Sequence, residues 1–140
     1  HHLGRNKRKH NISMHLEDDL LMANMDARLI IQVLVNLINN AIKYTPENSN
    51  ISLNARRVEN KILIEVQDDG NGVLHPDQLF EMFYTENNRG GDTRRGMGLG
   101  LSLCKSIIQS HGGTIWVENV TPHGACFKFV LDAVEVKLYE

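Results

Sequence analysis

The sequence is poor in cysteine, proline and aromatic side chains: its 140 residues include 2 Cys, 3 Pro and 1 Trp, and Phe, Tyr and Trp together make up 6%. Cys104 falls in an apolar helical pattern and Cys126 in an apolar strand pattern, without the close spacing of a zinc site or a redox pair, so both are expected as reduced core residues. No apolar run approaches the roughly 20 residues needed to span a bilayer, and nothing resembles a signal peptide. The piece is therefore expected to be soluble and cytoplasmic. A charge excess of one sign is also missing: the formal net charge is -2 with 23% charged residues, which excludes a global bias towards nucleic acid or acidic membrane surfaces. The length suits one compact domain with a real core and no need of disulfides or a structural metal. The basic run Arg5-Asn6-Lys7-Arg8-Lys9-His10, preceded by His1-His2 as a tag remnant, reads as a frayed tail over residues 1–11, ahead of a domain over 12–140.

What is present is organised around one stretch, Ile30 to Pro46. It reads as a helix in which Val33, Leu34, Leu37, Ile38 and Ala41 make an apolar stripe, while Gln32, Asn36, Asn40, Lys43 and Tyr44 follow one another on another side. Asn competes for local backbone hydrogen bonds and disfavours helix interiors, so Asn36 and Asn40 in an apolar helix need a reason. Buried amides satisfied by neighbouring backbone are one reason; a ligand is the other.

Elsewhere the pattern is one of short strands and a second helix. Ile12, Met14 and Leu16 suggest an edge strand running to an acidic turn at Glu17-Asp18-Asp19, and Asp26 suits the N-cap of the long helix, which Thr45-Pro46 ends. Ile51, Leu53 and Ala55, then Ile62, Ile64 and Val66, alternate with polar residues around a Glu59-Asn60 hairpin turn. A polar, glycine-containing segment from Thr85 to Gly96 suggests a mobile loop. Gly96-Met97-Gly98-Leu99-Gly100-Leu101 opens a second helix with Leu103, Ile107 and Ile108 as its apolar face and Gly112-Gly113 as its stop. Strands over Thr114 to Asn119 and Ala125 to Leu131 follow, joined by a turn at Thr121-Pro122-His123-Gly124. The expected class is α+β, a two-layer α/β sandwich with a mixed, mostly antiparallel sheet and helices on one face.

Two motifs could carry chemistry. Asp68-x-Gly70-x-Gly72 ends a strand; a fixed carboxylate there can accept a hydrogen bond from an exocyclic amine, and glycines let backbone pass close to a flat ring. By itself this motif is better read as an ordinary Asp-Gly turn. Gly96-x-Gly98-x-Gly100 exposes N–H groups at the positive end of a helix dipole, which favours phosphate. It lacks the preceding apolar strand of a dinucleotide fold and the Lys-Ser/Thr of a P-loop, and a plain hinge is its other reading.

In combination these motifs are far more specific. An Asn-rich helix, Asp-x-Gly-x-Gly, a paired-Phe segment and Gly-x-Gly-x-Gly opening a helix, in that order, resemble the ATP-binding domain of the histidine-kinase, Hsp90, gyrase and MutL superfamily (the GHKL or Bergerat fold, with a mobile ATP lid), from Ile12 to Ala133. Gln32 to Pro46 is similar to the N box of sensor histidine kinases and Phe80-Glu81-Met82-Phe83-Tyr84 to their F box. Met25 to Ile30 and Gly98 to Cys104 are most similar to the potassium-responsive KdpD branch.

The resemblance implies ATP and Mg²⁺ as ligands. Asn40 would coordinate the cation with Asn36 assisting, Lys43 would meet the phosphates, and Tyr44 would pack beside adenine. Asp68 would bind the adenine amino group, Gly70 and Gly72 would give the base clearance, and Val73 and Phe83 would join the nucleotide-binding set. Gly96, Gly98, Leu99, Gly100 and Leu101 would cradle the phosphates, and Arg94 or Arg95 on the lid would steady the γ-phosphoryl group.

The position of the water-activating glutamate in the superfamily's hydrolases, four before the metal-binding Asn, is held by Asn36, which cannot act as a base. Phosphoryl transfer to a protein histidine with little hydrolysis is therefore implied. The chain has no His-Glu-x-x-x-Pro-like acceptor sequence. It would act as a monomeric catalytic fragment on a separate helical dimerisation and phosphotransfer domain, serving a KdpE-like response regulator, within a parent that is a cell-membrane sensor. An anti-sigma-factor-type serine kinase and a non-catalytic nucleotide-binding module are the alternatives. Departures from the family are Gly124-Ala125 where Gly-Thr is usual, Met97 in place of Thr or Ser, and a short segment from Val73 to Phe80.

Overall fold

The computed structural model describes residues 10–16, 23, 25–81 and 97–133. Its elements are β1 (Asn11–Leu16), α1 (Ala27–Lys43), β2 (Asn50–Val58), β3 (Lys61–Asp68), α2 (Met97–Ser110), β4 (Thr114–Asn119) and β5 (Ala125–Asp132). The strands form one five-stranded sheet in the order β1-β2-β3-β5-β4. β1 and β2, joined through α1, run parallel, as a helical crossover requires, and the remaining pairs are antiparallel. This is the mixed two-layer α/β arrangement expected from the pattern.

The alternation along each strand decides the layering. Ile51, Val66, Phe127, Phe129, Leu131, Ile115 and Val117 all point to one side, where they join Ile30, Val33, Leu37 and Ala41 of α1 and Leu101, Cys104, Ile107 and Ile108 of α2 in a single core. On the other side Lys128 lies between Glu65 and Glu118, at 3.4 and 3.2 Å. That side carries no helix among the described residues.

The boundaries of α1 follow from local chemistry. Asp26 caps its start by accepting from the Arg28 N–H at 3.0 Å, and the Tyr44 N–H closes its end on the Asn40 carbonyl at 3.1 Å. Its two expected faces do not separate cleanly: Gln32 and Lys43 are exposed, whereas Asn40, expected on the polar side, is fully buried beside Ala41 and Ile42. In α2 Ile107 and Ile108 are buried as expected, but Leu103 is not part of the apolar face. Leu103 is 43% exposed, and Leu101 and Cys104 are buried instead. At 100° per residue, 101, 104, 107 and 108 share a stripe that 103 misses.

α2 ends in a Schellman motif: the Gly113 N–H reaches the Ile108 carbonyl and the Gly112 N–H the Gln109 carbonyl, both at 2.9 Å, with Gly112 at φ +76°. Between the helices, the His111 Nε2 accepts from the Asp26 N–H at 3.0 Å while its Nδ1 meets the Ile107 carbonyl at 2.7 Å. A carbonyl only accepts, so the proton sits on Nδ1, and the ring ties the end of α2 to the start of α1.

The two adjacent glycines are needed for different reasons. A Cβ on Gly112 would meet nothing within 4 Å, whereas one on Gly113 would lie 2.1 Å from the Val130 carbonyl oxygen. Gly112→Ala should cost about 1 kcal/mol through backbone strain, and Gly113→Ala about 1–3 kcal/mol through overpacking at the α2–β5 contact. Urea unfolding of the two variants should rank them in that order.

Candidate functional site

The site begins with a carboxylate in an unfavourable place. Asp68, the last residue of β3, alternates onto the helix-facing side of the sheet and is only 2% exposed. Burial of a carboxylate is costly unless it is hydrogen-bonded. Its Oδ1 accepts from two backbone donors, the Gly70 N–H at 2.9 Å and the Ala125 N–H at 3.3 Å. The second of these donors belongs to the first residue of β5. The preceding Gly124 sits at φ +121°, and a Cβ there would be 2.2 Å from the Asp68 carbonyl oxygen.

Thr45 connects this carboxylate turn to α1. Its hydroxyl donates to the Ala41 carbonyl at 2.6 Å, so the contact with the His10 Nε2 at 2.9 Å is one in which the ring donates. The Thr45 methyl stands 2.7 Å from where a Cβ of Gly70 would be, and the Asn119 Oδ1 stands 2.6 Å from that of Gly72, which lies at φ +82°. Both glycines were expected to clear space for a flat ring. The atoms that take up that clearance at their Cβ positions belong to the protein.

Asn40, one turn before the end of α1, is fully buried, and its Nδ2 atom has no hydrogen-bond partner. Asn36 is half-buried beside the Cys104 thiol of α2; burial pushes that thiol up to about 12, with the Asn36 hydrogen bond opposing. Lys43 is exposed and places its Nζ 5.4 Å from the centroid of the buried Tyr44 ring. A carboxamide supplies one hard oxygen, which suits Mg²⁺ as one ligand among waters and phosphate oxygens. Among the described residues no group of three or more His, Cys, Asp or Glu could hold a metal. The Asn40 and Asn36 amides would fit as single-oxygen ligands of a cation that takes its remaining ligands from outside the protein.

Gly98, Leu99 and Gly100 lie in the first turn of α2, whose N–H groups have no partners inside the helix. Leu101 has its side chain in the core, 1% exposed. Val73 is buried, and its N–H and carbonyl both engage the Asn119 amide, at 2.8 and 2.9 Å. Phe80 packs edge-on against Phe127 with centroids 6.0 Å apart. Phe83, Arg94, Arg95 and Gly96 lie outside the described residues, as does the acidic turn at Glu17 to Asp19. The sequence reading missed Thr45, Asn119 and His123, which hold the turn from a distance; only Thr45, beside the helix-ending proline, carried a local signal.

Residues 25–135 match the family of histidine kinase-, DNA gyrase B- and HSP90-like ATPases. The chain belongs to that family. It is similar to the sensor protein KdpD of Clostridium acetobutylicum, 38% identical over 87% of this chain and 14% of that protein. It is likewise similar to the adaptive-response sensory kinase SasA of Crocosphaera subtropica, 46% identical over 76% of this chain and 28% of that protein. The alginate biosynthesis sensor protein KinB of Pseudomonas aeruginosa is 38% identical over 89% of this chain and 20% of its own length. The chain thus spans a minor part of the curated relatives it matches. The catalytic domain of histidine kinase ThkA superposes with a TM-score of 0.77 at 29% identity, over 93% of this chain and 82% of that one. The fold is that of the histidine kinase catalytic domain.

Beside Asp68, the Asp69 carboxylate accepts from the Asn50 backbone N–H at 2.9 Å and from its Nδ2 at 2.8 Å. Burial would raise the Asp69 carboxyl, but the two Asn50 donors outweigh it and hold it below its ordinary value of 3.8. A depressed carboxyl binds fewer protons folded than unfolded, so its contribution is present above 3.8 and is lost as pH falls through the lowered folded-state value. Asp69→Asn should flatten the acid limb of stability relative to wild type, measured as urea midpoints from neutral pH down past 3.8.

Proposed function

We propose that this chain is the ATP-binding catalytic domain of a sensor histidine kinase and that it delivers the γ-phosphoryl group of Mg·ATP to a histidine on a separate helical hairpin domain. The observation that carries the reading is the buried Asp68 carboxylate, steered by two main-chain N–H groups and joined through Gly70 and Thr45 to the end of the helix that bears Asn40 and Lys43. A fixed acceptor suits the amino group of adenine, and a carboxylate offers roughly four acceptor positions, of which Oδ1 gives two to the backbone.

In this reading Asn40, with Asn36 assisting, holds Mg²⁺, which neutralises phosphate charge when bound. Lys43 meets the phosphates as a point charge, Tyr44 packs beside the base, and the first turn of α2 from Gly98 offers N–H groups to the triphosphate. Gly96, Arg94 and Arg95 complete the phosphate and transfer set. With Asn36 where hydrolases of the superfamily place glutamate, no amide in this pair can activate water, and transfer is favoured over hydrolysis.

The acceptor domain and a downstream response regulator are the partners; histidine kinase ThkA has been solved in complex with the response regulator TrrA, at 29% identity to this chain. The likeness to KdpD supports a potassium-responsive parent with a KdpE-like regulator, and SasA and KinB match at comparable identity. No described helix is long and apolar enough to cross a membrane, and a membrane-anchored parent rests on the sensor relatives.

Calorimetric titration with Mg·ATP tests the site. Asp68→Asn should weaken binding at least about tenfold, the value of one charged hydrogen bond, and Asn40→Ala should remove most of the Mg²⁺ dependence. Given radiolabelled ATP, the chain should leave itself unlabelled, label a supplied histidine hairpin and release little free phosphate. Unchanged binding in Asp68→Asn would overturn the adenine assignment.

A further inference from the structure

The end of β4 and the turn that leads to β5 hold the Asp68 loop by three contacts that the nucleotide reading does not use. Asn119 closes a two-way pair with Val73, accepting from its N–H at 2.8 Å and donating to its carbonyl at 2.9 Å. His123 places its Nδ1 2.8 Å from the Asp69 carbonyl and 3.2 Å from that of Gly70. Both partners are acceptors, so Nδ1 carries the proton and donates, as it does in the neutral tautomer and in the cation alike. Gly124 then packs its Cα against the Asp68 carbonyl, where a Cβ would be 2.2 Å away, and its own carbonyl accepts from the Val120 N–H at 2.9 Å.

We propose that Asn119 and His123 are positioning residues for purine recognition: by gripping the main chain at Asp69, Gly70 and Val73, they fix the direction in which the Asp68 carboxylate faces the base. The inference rests on the assignment of Asp68 to adenine and adds the elements that hold it. Side chains must stand in here because the loop from Asp69 to Val73 follows the end of β3 and has left the ladder. The Asn119 amide supplies one donor and one acceptor to Val73, the pairing that a neighbouring strand would otherwise give. His123 is exposed, so its hydrogen bonds, not burial of its ring, are what it contributes.

The expected consequence is selective for the base. His123→Ala and Asn119→Ala should each weaken Mg·ATP binding about tenfold, the loss of one to two net hydrogen bonds in positioning. Binding of magnesium tripolyphosphate, which has no base, should stay within about twofold of wild type. His123→Asn, whose amide can donate to the same carbonyls, should recover most of the loss, and Asn119→Asp, which keeps the acceptor and removes the donor, should not.

Calorimetry with both ligands, run beside thermal melts, decides the matter. Wild-type ATP affinity in His123→Ala and Asn119→Ala, with Asp68→Asn defective, would overturn the positioning role and leave the kinase reading standing. Wild-type affinity in Asp68→Asn would overturn that reading itself. A parallel fall in ATP affinity, tripolyphosphate affinity and melting temperature would show general support of the fold and would also overturn the proposal.

Discussion

A carboxylate buried at the end of a strand is the constraint on which the rest of this molecule turns. Left without hydrogen bonds at 2% exposure, Asp68 would carry the full desolvation cost of a buried polar group. Two main-chain donors prevent this, and each imposes a condition elsewhere. The Gly70 N–H can turn back only because Thr45 leaves room for a residue with no Cβ, and the Ala125 N–H can reach in only because Gly124 passes the Asp68 carbonyl at a distance that excludes every side chain. Residues 80 positions apart in sequence, from Thr45 to Ala125, are thus committed to one acidic group.

The fold delivers these residues through its topology. β3 is central, flanked by β2 and β5, so its last residue is approached from both sides at once. From one side comes Asn50, which occupies both oxygens of Asp69; from the other come Gly124 and Ala125. α1 crosses the same end of the sheet and brings Asn40, Lys43 and Thr45 with it. The parallel pairing of β1 with β2 is what gives α1 this course, because the chain must return along the sheet before β2 can begin.

Features governed by neighbouring residues could be read from the sequence. Asp26 as a cap, Gly112-Gly113 as a stop, Glu59-Asn60 as a hairpin turn and the period of the strands all express local rules, and each element stands where its rule put it. The motif of Asp68, Gly70 and Gly72 was visible too, but the reason for its glycines was not, since Thr45 and Asn119 meet them only after folding. Leu103 was misplaced because one more leucine in a leucine-rich turn blurs the phase of the stripe, which Cys104 settles. His111 and His123 offered no signal at all. A histidine that bonds a carbonyl more than 50 positions away has the same sequence context as one in solvent.

The lone tryptophan lies on the opposite side of the sheet from all of this. Trp116 donates its indole N–H to the Glu118 carboxylate at 2.7 Å, in the row of charges that includes Lys128. Its fluorescence therefore follows the integrity of the β4–β5 edge. The chain carries its own optical gauge of unfolding, on the face of the sheet turned away from the helices.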